Sequence, residues 1–162
     1  PIPFRLAFID APELDQPAGL ESRNFLSELI AGRSLELVPV LKGSSSATFI
    51  DPYQRVLCVP YLTVPLDAGK VDYFWNRCCC TGEVRRPRSV TRNIELEMVV
   101  NGWAWVVERY AFDNEPEYFA AQDDARRNRR GLWSVKDPEP PWSFKRRQRH
   151  RHLQKAGQGR LL

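Results

Sequence analysis

The sequence predicts an α+β domain, and three observations predict it. Apolar residues alternate over Ile2 to Ile9 and through VLCVPYLTV, the two-residue period of a strand. Over Leu20 to Ala31 they recur near every third or fourth position, the period of a helix. Finally, 43% hydrophobic residues, with five Trp and eight Phe in 162 residues, supply one sizeable core and are too many for a disordered chain.

In chain order, Ile2 to Ile9 reads as a strand, and DAPELDQPAG as a loop by its Asp, Pro and Gly content. Leu20, Phe25, Leu26, Leu29 and Ile30 then line one face of a first helix, which Gly32 can stop. SLELVPVL and VLCVPYLTV read as strands, with KGSSSAT as an exposed connection and DPYQR as a turn, so a β-hairpin is expected there. Residues 67–92 show no period and are expected to form an insertion or long loop. NIELEMVVNG has Asn93 as an N-cap and Gly102 as a stop for a short second helix. Asn114 and Pro116 open a third helix, expected to close at Gly131. LWSVKDPEPPWSF is expected to be extended, because proline cannot continue a helix, and pinned by Trp133 and Trp142. The domain is expected over residues 1–147 and a basic tail over 148–162.

The net charge is +4, but it is unevenly placed. Lys145 to Leu162 holds seven Lys or Arg and no acidic residue, which leaves 17 basic against 20 acidic groups before it. Such a tail reads as a solvated arm that raises phosphate affinity in a salt-dependent way. The most apolar run, VLCVPYLTVPL, is about half a bilayer span and carries two prolines, so no membrane span is expected. Cys78, Cys79 and Cys80 are adjacent and Cys58 stands alone, with no C-x2-C pair, which argues against structural zinc. A disulfide from Cys58 to that cluster stays open for an oxidising compartment. The chain opens on Pro with no charged-then-apolar leader, so it reads as processed or incomplete at its N-terminus, and the compartment stays open.

Both histidines, His150 and His152, lie in the tail, which disfavours a histidine-centred nuclease or a Ser-His hydrolase. Chemistry must therefore run on carboxylates, arginines and tyrosines. FRLAFIDAPE carries Arg5, ends its strand on Asp10 and turns through Pro12 to Glu13, which would gather one guanidinium and two carboxylates at one end of a sheet. Strict alternation puts Arg5 and Asp10 on opposite faces, so the grouping requires a twist or bulge. The plainer alternative is an edge-strand arginine followed by ordinary turn residues. DPYQR adds Asp51, Tyr53 and Arg55 around a turn into the next strand.

These segments together resemble the staphylococcal nuclease-like (thermonuclease) family. RLAFIDAPE resembles its R-L-x-x-[IV]-D-[TA]-P-E motif, DPYQR its D-x-Y-G-R motif, and VVNGWAWVVERY its V-x-x-G-x-A-x-V segment. ARRNRRGLWS is similar to the family's helix end, and PPWSFKRR to a C-terminal extension of bacterial members. The motifs run in the family's order from Phe4 to Arg147, with residues 67–92 unmatched.

The resemblance implies a five-stranded OB-fold β-barrel with three helices. It also implies calcium-dependent hydrolysis of DNA and RNA by a monomer, secreted or extracytoplasmic in a bacterium. Arg5, Glu13 and Arg55 match its catalytic positions and Asp10 a metal ligand. Ala11 matches a ligand that acts through its backbone carbonyl, and Tyr53 and Tyr110 match positions that contact the nucleotide. The family also carries two strands and a DGDT-like turn, with another ligating aspartate, ahead of the position matched by Phe4. Three alternatives follow: a longer protein, a domain that closes and binds metal differently, or a noncatalytic module that binds nucleic acid or protein. Asp51 is a nearby carboxylate with no spacing argument behind it, and Gln54 stands where the family has glycine. Trp103 and Trp105 are expected in the core, and Arg126, Arg127, Arg129 and Arg130, with Asp123 and Asp124, on a solvated helix face.

Overall fold

A computed structural model describes residues 3–41, 50–65, 89–107 and 115–158. The longest strand, β4 (Val56–Pro65), organises the larger sheet because its apolar run is buried along most of its length. Its first residues pair in parallel with β1 (Phe4–Leu6), in the register Phe4 to Val56, Arg5 to Leu57 and Leu6 to Cys58. β3 (Glu36–Pro39) runs antiparallel to the middle of β4, Leu37 facing Pro60, as the expected hairpin requires. The far half of β4 pairs antiparallel with β5 (Ser89–Asn93), where the Thr63 and Thr91 hydroxyls lie 3.0 Å apart.

The single strand expected from Ile2 to Ile9 is broken in two. After β1 the chain bends at Ala7 and Phe8 and continues as β2 (Ile9–Asp10), which pairs antiparallel with β6 (Trp105–Val106) instead of following β4. Among the described residues the strands therefore form a four-stranded and a two-stranded sheet, and neither closes into a five-stranded barrel.

Four α-helices are described rather than three. α1 (Gly19–Ile30) and α2 (Ile94–Val100) lie within a residue or two of their expected bounds. Asn93 caps α2 as expected, its side chain accepting from the Leu96 N–H at 3.2 Å. α3 (Glu115–Arg127) stops short of Gly131, since Arg129 already adopts a left-handed backbone and Gly131 opens a short 3-10 turn, Gly131–Ser134. α4 (Pro141–Gln158) replaces part of the expected extended segment and runs across the boundary expected at 147/148. Pro141 does not break this helix because it is its first residue, where a missing N–H costs nothing. Residues 89–92, expected within the insertion, are the strand β5; residues 67–88, with Cys78 to Cys80, lie outside the described residues.

The main core lies between the β2–β6 pair and the helices. Ile9 and Val106 pack there with Leu96, Met98, Val99 and Tyr118, against Phe25, Leu26 and Leu29 of α1. A smaller cluster of Ala7, Leu57 and Val59 lies along the β1–β4 seam. The bend at Ala7 and Phe8 sits between these two clusters.

Candidate active site

That bend has a specific cause. Glu95, in the first turn of α2, is fully buried, and its Oε1 accepts from the Ala7 N–H at 2.5 Å and the Phe8 N–H at 3.3 Å. These are the two backbone groups that the chain exposes when it leaves β4 for β6, and buried N–H groups need acceptors. The Tyr118 hydroxyl donates to Glu95 Oε2 at 3.1 Å and accepts from Asn93 Nδ2 at 2.8 Å, so the cap of α2 also belongs to the network. Burial pushes the Glu95 carboxyl up to about 7, against the opposing pull of its backbone hydrogen bonds. Burial, reinforced by the Glu95 charge, likewise raises Tyr118.

The bend resolves the alternation problem at the first motif. Arg5 Nη2 comes within 4.0 Å of Asp10 Oδ1, so the residues that a straight strand would hold apart share one edge. The loop after Asp10 is tightly wound: the Glu13 N–H donates to Gln16 Oε1 at 3.2 Å, and the Gln16 N–H donates to the Glu13 carbonyl at 2.9 Å. α1 presses directly on this loop, because a Cβ at Gly19 would lie 1.9 Å from the Glu13 carbonyl oxygen. Only glycine permits that approach.

The second motif forms a turn built on Asp51. Its buried carboxylate accepts from the Tyr53 and Arg55 N–H groups through Oδ1, at 2.9 and 3.0 Å. Through Oδ2 it accepts from Arg55 Nε and Nη2, at 2.8 and 2.6 Å. Burial disfavours the Asp51 charge, but the Arg55 guanidinium and the two N–H donors outweigh it and hold the carboxyl below its ordinary range. Asp51 is thus the residue that orients Arg55. Because Phe4 pairs with Val56, Arg55 enters β4 at the same end of the sheet at which Arg5 lies on β1. Gln54 takes the left-handed backbone (φ 61°) suited to glycine, and Tyr53 is largely exposed, its ring 5.3 Å from the Arg55 guanidinium carbon. Tyr110 lies outside the described residues.

One residue of this site was not anticipated. Lys145 of α4 places its Nζ 2.8 Å from Glu13 Oε1 and 3.5 Å from Asp10 Oδ2. It is 132 positions beyond Glu13, and no spacing rule links it to FRLAFIDAPE. Glu95 also escaped the sequence reading, since an acidic residue in the first turn of a helix is ordinarily solvated and favoured by the dipole.

Asp10 and Glu13 present carboxylate oxygens, with the Ala11 carbonyl next in the chain, and an all-oxygen donor set suits a hard cation such as calcium. That the pair already holds an ammonium supports its fitness for a cation. Among the described residues, no group of three or more His, Cys, Asp or Glu could hold a metal ion.

Trp105 is buried, and Trp103 packs on Phe25 with ring centroids 6.2 Å apart. Arg126 does more than face solvent: its guanidinium carbon lies 4.5 Å from the Trp133 ring centre and 5.5 Å from that of Trp105. Cys58 is buried on β4, which raises its thiol, and it makes no disulfide among the described residues.

Residues 3–135 match the family model described as staphylococcal nuclease homologue. The chain belongs to the staphylococcal nuclease homologue family. Within known proteins it is 32% identical to an uncharacterized endonuclease of Haemophilus influenzae, over 91% of this chain and 62% of that one. It is 30% identical to a probable staphylococcal-like nuclease of Oryza sativa subsp. japonica, over 91% of this chain and 29% of the relative. A micrococcal nuclease of Shigella flexneri is 28% identical, over 90% of this chain and 68% of its own length. This family member thus spans less than two thirds of the first two of these relatives. Its α4 lies beyond the residues that the family model matches. Among the described residues, no helix is long and apolar enough to cross a membrane.

Proposed function

We propose that this domain hydrolyses phosphodiester bonds of DNA and RNA as a calcium-assisted, monomeric endonuclease. The observation that carries the reading is that Arg5 meets Asp10 at the bent end of β1 and β2, with Glu13 joined to Asp10 through Lys145 and Arg55 held by Asp51 in the turn that enters β4. The names of its relatives support a nuclease in general.

Each residue has a part in that reaction. Arg5 and Arg55 offer planar guanidinium forks to the phosphoryl oxygens, and their hold strengthens as charge gathers there in the transition state. Glu13, on the loop beside Asp10, takes the proton from the attacking water. Asp10 and the Ala11 carbonyl would hold calcium, which when bound supplies positive charge to the reacting phosphate. Tyr53, exposed beside Arg55, and Tyr110 are assigned to the nucleotide.

The reading is tested by cleavage of single-stranded DNA in calcium and in chelator, beside a Glu13→Gln variant. Cleavage in calcium that the chelator abolishes and the variant loses by about a hundredfold or more supports it. A folded chain that binds DNA but leaves it intact under both conditions would instead make this a binding module on the same fold.

A further inference from the structure

We propose that Lys145 is a residue of the site, its ammonium seated between Asp10 and Glu13 so that a divalent cation binds Asp10 only by displacing it. The inference rests on the reading of Asp10 as a cation ligand, and makes α4 the element that sets how tightly the site takes a divalent ion.

The geometry is that of a shared seat. Lys145 Nζ lies 2.8 Å from Glu13 Oε1 and 3.5 Å from Asp10 Oδ2, so the ammonium spans both carboxylates. Calcium takes carboxylate oxygens at about 2.3–2.6 Å. An ion drawn onto Asp10, whose Oδ2 lies 3.5 Å from the ammonium, would sit within a few ångströms of it, where two cations repel strongly. Arg5 already neutralises Asp10 in part from its other oxygen, at 4.0 Å, so the divalent ion meets two resident cations.

Release of Lys145 does not require release of the helix. Pro141 and Phe144 are buried, and Trp142 meets Trp105 edge-on with ring centroids 5.8 Å apart. Gln148 Nε2 donates to Asp15 Oδ2 at 2.5 Å, and Gln16 Nε2 donates to the Glu139 carbonyl just before α4. These contacts dock α4 on the loop that carries Glu13, independently of Lys145. The lysine side chain is 45% exposed on a flexible stem, and can move its ammonium off the pair while the backbone stays put.

The test is calcium affinity of the full chain by isothermal titration calorimetry, for wild type, Lys145→Met, Lys145→Arg and Arg149→Met. Lys145→Met keeps the stem and removes the charge, and should bind calcium roughly tenfold or more tightly. Lys145→Arg restores a resident cation and should return affinity toward wild type. Arg149→Met makes the same change of net charge at an exposed position of α4 and should leave affinity nearly unchanged. The gain should vanish when Asp10→Asn is combined with Lys145→Met. Equal affinities for wild type and Lys145→Met overturn the proposal, as does a gain matched by Arg149→Met, which would assign it to net charge alone. Absence of calcium binding in every variant would instead overturn the assignment of Asp10 as a ligand, and the competition with it.

Discussion

The buried Glu95 makes the stability of this domain depend on pH in a way that one substitution should expose. Its carboxyl, ordinarily near 4.5, is raised to about 7 by burial, so the folded state binds the proton more tightly than the unfolded chain does. Between those two values the unfolded state gives up its proton while the folded state keeps it. The contribution to stability is therefore complete below pH 4.5, declines as pH rises, and is lost once pH passes about 7. At about 1.4 kcal/mol per decade of proton affinity, the whole change is about 3 kcal/mol. Glu95→Gln should abolish that decline. Its amide oxygen can still accept from Ala7 and Phe8, but its amide nitrogen faces Tyr118, whose hydroxyl loses Oε2 as an acceptor. The protonated wild type makes the same demand, because Oε1 accepts from Ala7 and Phe8 and leaves its proton on Oε2, facing Tyr118. The variant should therefore be about as stable as wild type at pH 4.5 and more stable by about 3 kcal/mol above pH 8. Urea unfolding of both chains across this range measures the difference, in which the other titrating groups cancel. A difference that does not change with pH would overturn this role for Glu95, because it would mean that water reaches the carboxyl and that the bend is not sealed by it.

Two further outcomes are expected. Gly102 has φ +74°, and an added Cβ would lie 2.3 Å from the Arg130 carbonyl oxygen, so Gly102→Ala should destabilise the fold by about 3 kcal/mol or more, read as a fall in urea midpoint with little change in slope. Arg55→Lys replaces two guanidinium donors on Asp51 Oδ2 by one ammonium, and should lower single-stranded DNA cleavage about a hundredfold while leaving the melting temperature nearly unchanged.

Much of the fold could be read along the chain because it rests on local rules. The Asn93 cap of α2, the apolar face of α1 and the buried run of β4 each follow from residues within a few positions of one another. The same rules failed where a residue has two meanings. Pro141 reads as a helix breaker and serves as a helix start, and Ser89 to Asn93 hold too short a pattern to announce a strand until β4 lies beside them.

By itself the sequence determined the order of most strands and helices, the motifs that carry Arg5, Asp10, Glu13 and Arg55, and the need for a bend if the first of them was to form a site. What makes that bend, and what occupies the pair of carboxylates, depends on elements that meet only when the chain has folded. Glu95 reaches back 88 positions to seal the backbone at Ala7, and Lys145 reaches back 135 to Asp10. Periodicity reports which face of an element is buried, but it carries no information on which distant side chain arrives there. A buried carboxylate finds its donors, and a carboxylate pair its cation, only when packing has brought their elements together.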